Sequence, residues 1–257
     1  MQPHHLEWDK QGLFIAPHES AVDYEARIQA LFKHLDPAVS SASSPEVLQR
    51  VFGVDPSWVR VEYSKKGLYP WEAGCTWYDT VPWIQLHPCF LTSQYRFGIY
   101  SKEEVLAHEY VHVVRAPLES DRFEEFFAYL ISYYAKPGIV TSLRTFLGPL
   151  FDKPWQVIVA FVSFLAFPIA GLLVVACLFA RLLYCWRQFF LCKKQLQSIT
   201  DTPLQLMLRL NDSEIVRFSK MSKDEITAYI AEKGEVDFRW QLLQKMQITG
   251  TVTSLFS

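Results

Sequence analysis

The chain has 257 residues and a formal net charge of −2 at pH 7, room for one moderate domain with additions and no basic surplus for a nucleic-acid partner. Half of the residues are hydrophobic and 15% are aromatic, rich for a soluble protein, and the excess is concentrated in one stretch. The five cysteines (Cys75, Cys89, Cys177, Cys185, Cys192) lack the CxxC spacing of a thiolate metal site.

The opening residues, Met1 to Trp8, carry no signal-peptide pattern. Residues 20 to 36 have helical periodicity, with Val22, Ile28, Leu31 and Phe32 on the apolar side. A Ser/Ala/Pro linker from Pro37 to Pro45 leads into a second helix ending near Phe52. Trp58 to Tyr63 alternates as a strand does. Cys75 to Tyr78, a turn at Asp79-Thr80, and Pro82 to His87 predict a hairpin, with Pro82 suited to an edge strand. Cys75 and Cys89 would pair only if their strands adjoin; reduced thiols are the plainer expectation. His87 ends this hairpin, either as a strand histidine with a hydrogen bond or as an oxyanion donor.

Ser101 and Glu104 form a capping box and open the next helix. That helix carries His108-Glu109-Tyr110-Val111-His112, an HExxH pattern, and nearly every other position around it is apolar. Residues four apart share a helical face, so His108 and His112 can present two imidazoles to one ion. Glu109 points about 100° away from His108, where it can act on a metal-bound water. Two imidazoles and a carboxylate inside an apolar helix are costly unless paired or metal-bound.

A catalytic zinc site takes three protein ligands and leaves one position open. No third histidine follows, but Glu119, Asp121, Glu124 and Glu125 do. If Asp121 caps the next helix, Glu124 falls at the third helical position and is used in capping, which leaves Glu125 for the metal. Glu124 and, more remotely, Glu119 are rival ligands. Arg115 is placed to pair with Glu119 or Asp121.

An HExxH helix followed by a helix with Glu-x-x-Ala resembles the gluzincin branch of the zincin-like metallopeptidases. Phe123-Glu124-Glu125-Phe126-Phe127-Ala128 looks like the segment that supplies the third ligand in zinc aminopeptidases of that branch. The resemblance covers about residues 75 to 135. It implies Zn²⁺ held by His108, His112 and Glu125, Glu109 as general base, and a peptide or protein substrate on the strand before the active helix. The exopeptidase motif of the large aminopeptidases is missing, so endopeptidase activity is the expectation. The fold class expected is α+β: a minimal zincin-like domain with a small mixed sheet, an active-site helix and a ligand helix, over residues 1–136. A tyrosine after the ligand helix (Tyr129, Tyr133 or Tyr134) could donate to the tetrahedral intermediate.

Residues 137–194 form a membrane-associated region. Gly138 to Phe151 carries Arg144 and suits an interfacial helix. From Trp155 to Ala180 no residue is charged, and a run of this length reads as a transmembrane segment, about 155–180. Pro168 divides it into two short halves, which allows a re-entrant hairpin instead of a single pass. Trp155, Tyr184 and Trp186 fit an aromatic belt. Arg181, Arg187, Lys193 and Lys194 follow the run and Lys136, Arg144 and Lys153 precede it, a small asymmetry. With no signal peptide to carry it across, the preceding domain is expected on the cytoplasmic side. Cys185 and Cys192 read as small apolar residues or as acceptors of lipid.

Residues 195–257 read as a helical C-terminal region, with starts at Thr202/Pro203, Asn211/Asp212 and Ser222, the last opposite Glu225 in a capping box. It carries no catalytic constellation and suits a protein partner or a cover for the site. The combined expectation is a membrane-anchored zinc metallopeptidase. The alternative is a non-catalytic membrane adaptor whose metal is structural, which needs a fourth ligand from His87, Glu119 or Glu124.

Overall fold

A computed structural model describes residues 2–35, 44–151 and 154–253. The expected 37–45 linker lies mostly outside them. Helices α1 (Pro3–Lys10), α2 (Ala21–His34) and α3 (Glu46–Phe52) come first. Strands β1 (Arg60–Tyr63), β2 (Gly74–Trp77) and β3 (Trp83–Leu86) follow, then the short hairpin β4 (Tyr95–Arg96) and β5 (Tyr100–Ser101). Next are α4 (Lys102–Arg115), α5 (Glu124–Ala135), α6 (Ile139–Leu147), α7 (Pro154–Ala166) and α8 (Pro168–Gln197). Helices α9 (Pro203–Leu208), α10 (Asp212–Phe218), α11 (Lys223–Val236) and α12 (Phe238–Thr253) close the described chain. The protein is mixed α+β and mostly helical, with a small sheet.

The starts of α4, α10 and α11 fall at capping boxes: Ser101 with Glu104, Asn211 with Glu214, Ser222 with Glu225. In each, a side chain takes an orphan N–H of the first turn and the acid returns to the cap's own N–H. Replacing Ser101 with Ala is expected to cost about 1 kcal/mol, read as a lower urea midpoint at unchanged slope. Helix α1 was not anticipated; it lacks a strong apolar stripe and is held through buried His5 and Asp9.

The sheet has order β1-β3-β2, with β1 and β3 parallel and β2 and β3 antiparallel. The expected hairpin is present, but its edge is reversed. The strand after Pro82 is central, because β1 returns to pair with it. Among the described residues no strand pairs with the outer side of β2. Gly74 lets β2 lie close on α4: a Cβ there would sit 2.9 Å from Val105 Cγ1.

The apolar run does not continue as one helix. Phe167 is extended, as the residue before a proline prefers, and Pro168 occupies the first turn of α8. α7 and α8 fold back on each other as a hairpin. Their backbones touch where Gly171 meets Phe164, a Cβ at Gly171 falling 2.3 Å from Phe164 Cα. α8 alone is long and apolar enough to cross a membrane. Its second half bears Leu182, Trp186, Phe189, Cys192 and Leu196, which are buried.

That second half belongs to the main core. One apolar cluster joins Phe52, Ile84 and Tyr110 to Phe127, Phe189, Met207 and Trp240. The helices after Lys194 therefore share their interior with the strands and with α4 and α5. A buried ion pair spans the chain: Arg209 Nε and Nη2 lie 2.8 and 2.6 Å from Asp9 Oδ2.

Candidate metal centre

Helix α4 is pinned at both ends. The capping box fixes its start, and Arg115 at its end is fully buried. Arg115 does not pair with Glu119 or Asp121. Its Nη1 donates to the carbonyls of Leu208 (2.6 Å) and Leu210 (3.2 Å), and its Nη2 donates to Ser120 Oγ (2.5 Å). Burial lowers its pKa to about 10, against the nearby Asp212 and Glu124 carboxylates.

The start of α5 differs from expectation for a related reason. Asp121 does not cap it; the helix begins at Glu124 after Phe123, which offers no side-chain cap. Asp212 of α10 accepts instead from the N–H groups of Arg122 (2.7 Å) and Phe123 (3.3 Å), and from Ser120 Oγ (2.5 Å). A carboxylate at a helix N-terminus satisfies orphan donors and the helix dipole together. Glu124 is thereby free of capping duty.

With α4 and α5 packed side by side, His108, His112 and Glu125 converge. Glu125 Oε2 lies 3.5 Å from His108 Nε2, and Glu125 Oε1 lies 3.4 Å from His112 Nε2. A tetrahedral zinc with bonds of about 2.0–2.1 Å sets its ligand atoms roughly 3.4 Å apart, so two imidazoles and a carboxylate with donor atoms within 4.8 Å of one another suit that ion in chemistry and lie near its spacing. Glu124 sits on the far side of the His112 ring, its Oε1 2.6 Å from Nδ1. That contact orients the imidazole and turns Nε2 toward Glu125, as carboxylates do behind metal-bound histidines. His108 Nδ1 is close to Ser132 Oγ (3.4 Å) and hydrogen-bonds the Ala128 backbone. The ring edge of Tyr129 packs on His108 at 4.7 Å between centroids. Glu119 and His87 are not in the cluster. Glu119 is the left-handed residue closing the turn after α4, and His87 Nδ1 accepts from Cys89 N (3.2 Å).

Glu109 stands beside the cluster, held by Thr76 of β2, whose Oγ1 is 2.9 Å from Glu109 Oε2 and 3.0 Å from the Glu109 carbonyl. Thr76 had no local signal in the sequence; only strand pairing brings it here. All four motif residues open into a cleft of about 350 Å³ lined also by Cys75, Thr76, Tyr78, Asp121 and Glu124.

The two imidazoles are electrostatically distinct. Burial, then the neighbouring His112, holds His108 well below the ordinary histidine range. Burial also opposes charge on His112, but Glu125, Glu124 and Glu109 together outweigh it and raise the pKa to about 10. Burial raises the pKa of Glu109, opposed by His112 and by the Thr76 hydrogen bond. Burial, with Glu109 and Glu72, pushes Cys75 up to about 11, so its thiol is a poor ligand.

A second His/Glu group, His4, His5 and Glu25, is already satisfied. His5 Nδ1 accepts from Gln2 N (3.2 Å), so Nε2 carries the proton and donates to Glu25 Oε1 (2.7 Å).

Arg144 of α6 reaches back to pair with the buried Glu104 of α4. Burial raises the Glu104 pKa, with Arg144 acting against it. A raised carboxyl pKa means the folded state favours the proton: that stability is full below the unfolded value near 4.5 and is lost as pH climbs through the folded one. Arg144→Met removes the counterion and raises the folded value further. Its cost is expected to be largest at neutral pH, up to about 3 kcal/mol because Arg144 is partly exposed, and small near pH 4.5. Urea unfolding of both proteins across pH 4–8 checks this. An equal cost at both ends would show that Glu104 is not the reason.

No protein family, curated protein or solved structure matches this chain in comparison.

Proposed function

We propose that this chain is a membrane-anchored, zinc-dependent metallopeptidase of the gluzincin type, with its zincin-like half on the cytoplasmic side. The observation that carries the reading is the meeting of two histidine Nε2 atoms and the Glu125 carboxylate, their donor atoms within 4.8 Å of one another, with Glu109 beside them. His108, His112 and Glu125 would hold the zinc. Bound there, zinc polarises a scissile carbonyl and acidifies its water.

The remaining work falls to residues of the chain. Glu109, whose raised pKa suits it to gain and give up a proton, accepts one from water at Oε and returns it to the departing amine nitrogen. Thr76 keeps that carboxylate facing the cleft. The outer edge of β2 offers unpaired backbone to an extended peptide, which would lie along the cleft. Tyr78, at the end of β2, and Tyr129, against His108, are the phenols nearest the cluster that the geometry supplies.

The adaptor reading needs a fourth protein ligand to close the site. Among the described residues Glu124 bonds the other nitrogen of His112, and His87 and Glu119 stand outside. An open position favours catalysis over structure.

The test uses the full chain in mild detergent with one equivalent of zinc and a library of quenched fluorescent peptides. Hydrolysis that a chelator stops and added zinc restores is expected. Stoichiometric zinc with no cleavage of any peptide would favour the adaptor.

A further inference from the structure

We infer that the α7–α8 hairpin enters a single leaflet of an anionic bilayer, so that both of its ends, and all of the folded body, remain on one side. The inference rests on length, charge and exposure, and stands apart from the chemistry of the metal centre.

Length comes first. α7 has 13 residues, about 20 Å of helix at roughly 1.5 Å per residue. α8 has 30 residues, but only its portion before Arg181 is free of charge and outside the core. That portion is again about 20 Å. A hydrocarbon core is about 30 Å thick, so neither arm crosses it, and each passes the depth of one leaflet. The second half of α8 cannot supply the missing length. Trp186 and Phe189 pack on Phe126, beside ligand Glu125, and Trp186 Nε1 donates to the Phe146 carbonyl at 3.0 Å.

Exposure points to lipid as the occupant. At the tip, Phe167 is 72% and Ile169 78% exposed, and Ile158, Phe161, Leu165, Leu172 and Leu173 down the arms are open as well. Helix α6 continues the apolar surface with Ile139, Val140, Leu143 and Phe146 on one face, while Arg144 and Thr145 turn inward to Glu104 and Tyr129. A helix of this kind lies in the plane of the headgroups.

Charge selects the headgroup. Between Lys136 and Lys194 the sequence has seven basic residues (Lys136, Arg144, Lys153, Arg181, Arg187, Lys193, Lys194) and one acid, Asp152, in a chain of net charge −2. The excess is +6 here (7 − 1) and therefore −8 elsewhere (−2 − 6). Arg181 ends the apolar arm of α8 and Arg187 lies about 9 Å further along the helix, both exposed, while Lys194 is exposed about 20 Å beyond Arg181. A basic collar under an apolar spike fits anionic lipid, and the acidic remainder is repelled from it.

The experiment adds the full chain to preformed phosphatidylcholine vesicles with and without phosphatidylserine, followed by flotation and trypsin from outside. Expected are flotation that carbonate does not strip, binding about tenfold or more tighter with phosphatidylserine, and loss of that preference in Arg181→Glu/Arg187→Glu. Trypsin should reach both the Lys136 side and the Lys194 side and leave only the hairpin protected. Phe167→Asp, at an exposed tip, should keep the fold by circular dichroism and lose flotation. A protected fragment containing the C-terminal helices would mean that the chain spans the bilayer and overturn the inference. Failure of the parent to float on either vesicle would also overturn it, leaving a protein partner as the cover. Neither outcome depends on whether peptides are hydrolysed, and a failure to hydrolyse peptides would leave these readouts unchanged.

Discussion

Glu109→Gln is expected to retain zinc and lose about 10²–10⁴ in peptide hydrolysis, while Glu125→Ala is expected to lose the metal itself. The amide keeps the size of the acid and its contact with Thr76, but it has no free carboxylate to take a proton. Removing Glu125 takes away one of three donors and the charge that faces both Nε2 atoms. Glu124→Ala separates ligand from support. It leaves the three donors in place and frees His112 Nδ1, so zinc affinity should fall about 10–100-fold without being abolished. Metal content after dialysis, with competition against a chromogenic chelator, ranks the three. If Glu124→Ala emptied the site and Glu125→Ala did not, the ligand would be assigned to the wrong acid; if Glu109→Gln cut at the parental rate, the base would be.

The largest effect on stability is expected far from the metal, at Asp9→Ala. Arg209 and Asp9 are both almost fully buried, and the guanidinium also donates to the carbonyls of Phe52 and Gln205. Taking away the acid leaves a cation without its partner in the core, a loss of about 3–5 kcal/mol. In a chain of this size that corresponds to a fall of roughly 6–20 °C in melting midpoint. Asp9→Ala combined with Arg209→Met should recover part of it, since an apolar pair carries no unpaired charge. A double variant as unstable as the sum of the two single ones would argue against the pairing.

Much of this fold is legible because its signals are local. Capping boxes at Ser101, Asn211 and Ser222 mark helix starts, and the alternation in 58–63 and 75–87 marks strands. The spacing of His108 and His112, and a second helix bearing acids, place the candidate ligands without tertiary information. What sequence alone leaves out comes from distant parts of the chain. Asp121 looked like the cap of α5 because nothing nearby reveals that Asp212 has that position. Arg115 looked like the partner of nearby acids because the Leu208 and Leu210 carbonyls lie over ninety residues on. The sheet edge was reversed because parallel pairing of β1 with β3 has no short-range signature. The hairpin is half visible: Pro168 is an evident interruption, while the depth to which α8 joins the core depends on Phe126 and Phe127 of α5 meeting Trp186 and Phe189 of α8.

The cap on α5 has a consequence for the order in which the chain finishes folding. The carboxylate that sets the first turn of the ligand helix lies 90 residues beyond the N–H it receives from Arg122. A chain emerging during synthesis will have made both histidines and both acids long before Asp212 appears, and the greasy hairpin emerges in between. The cap of α5 is therefore completed only after the apolar α7–α8 segment has been made.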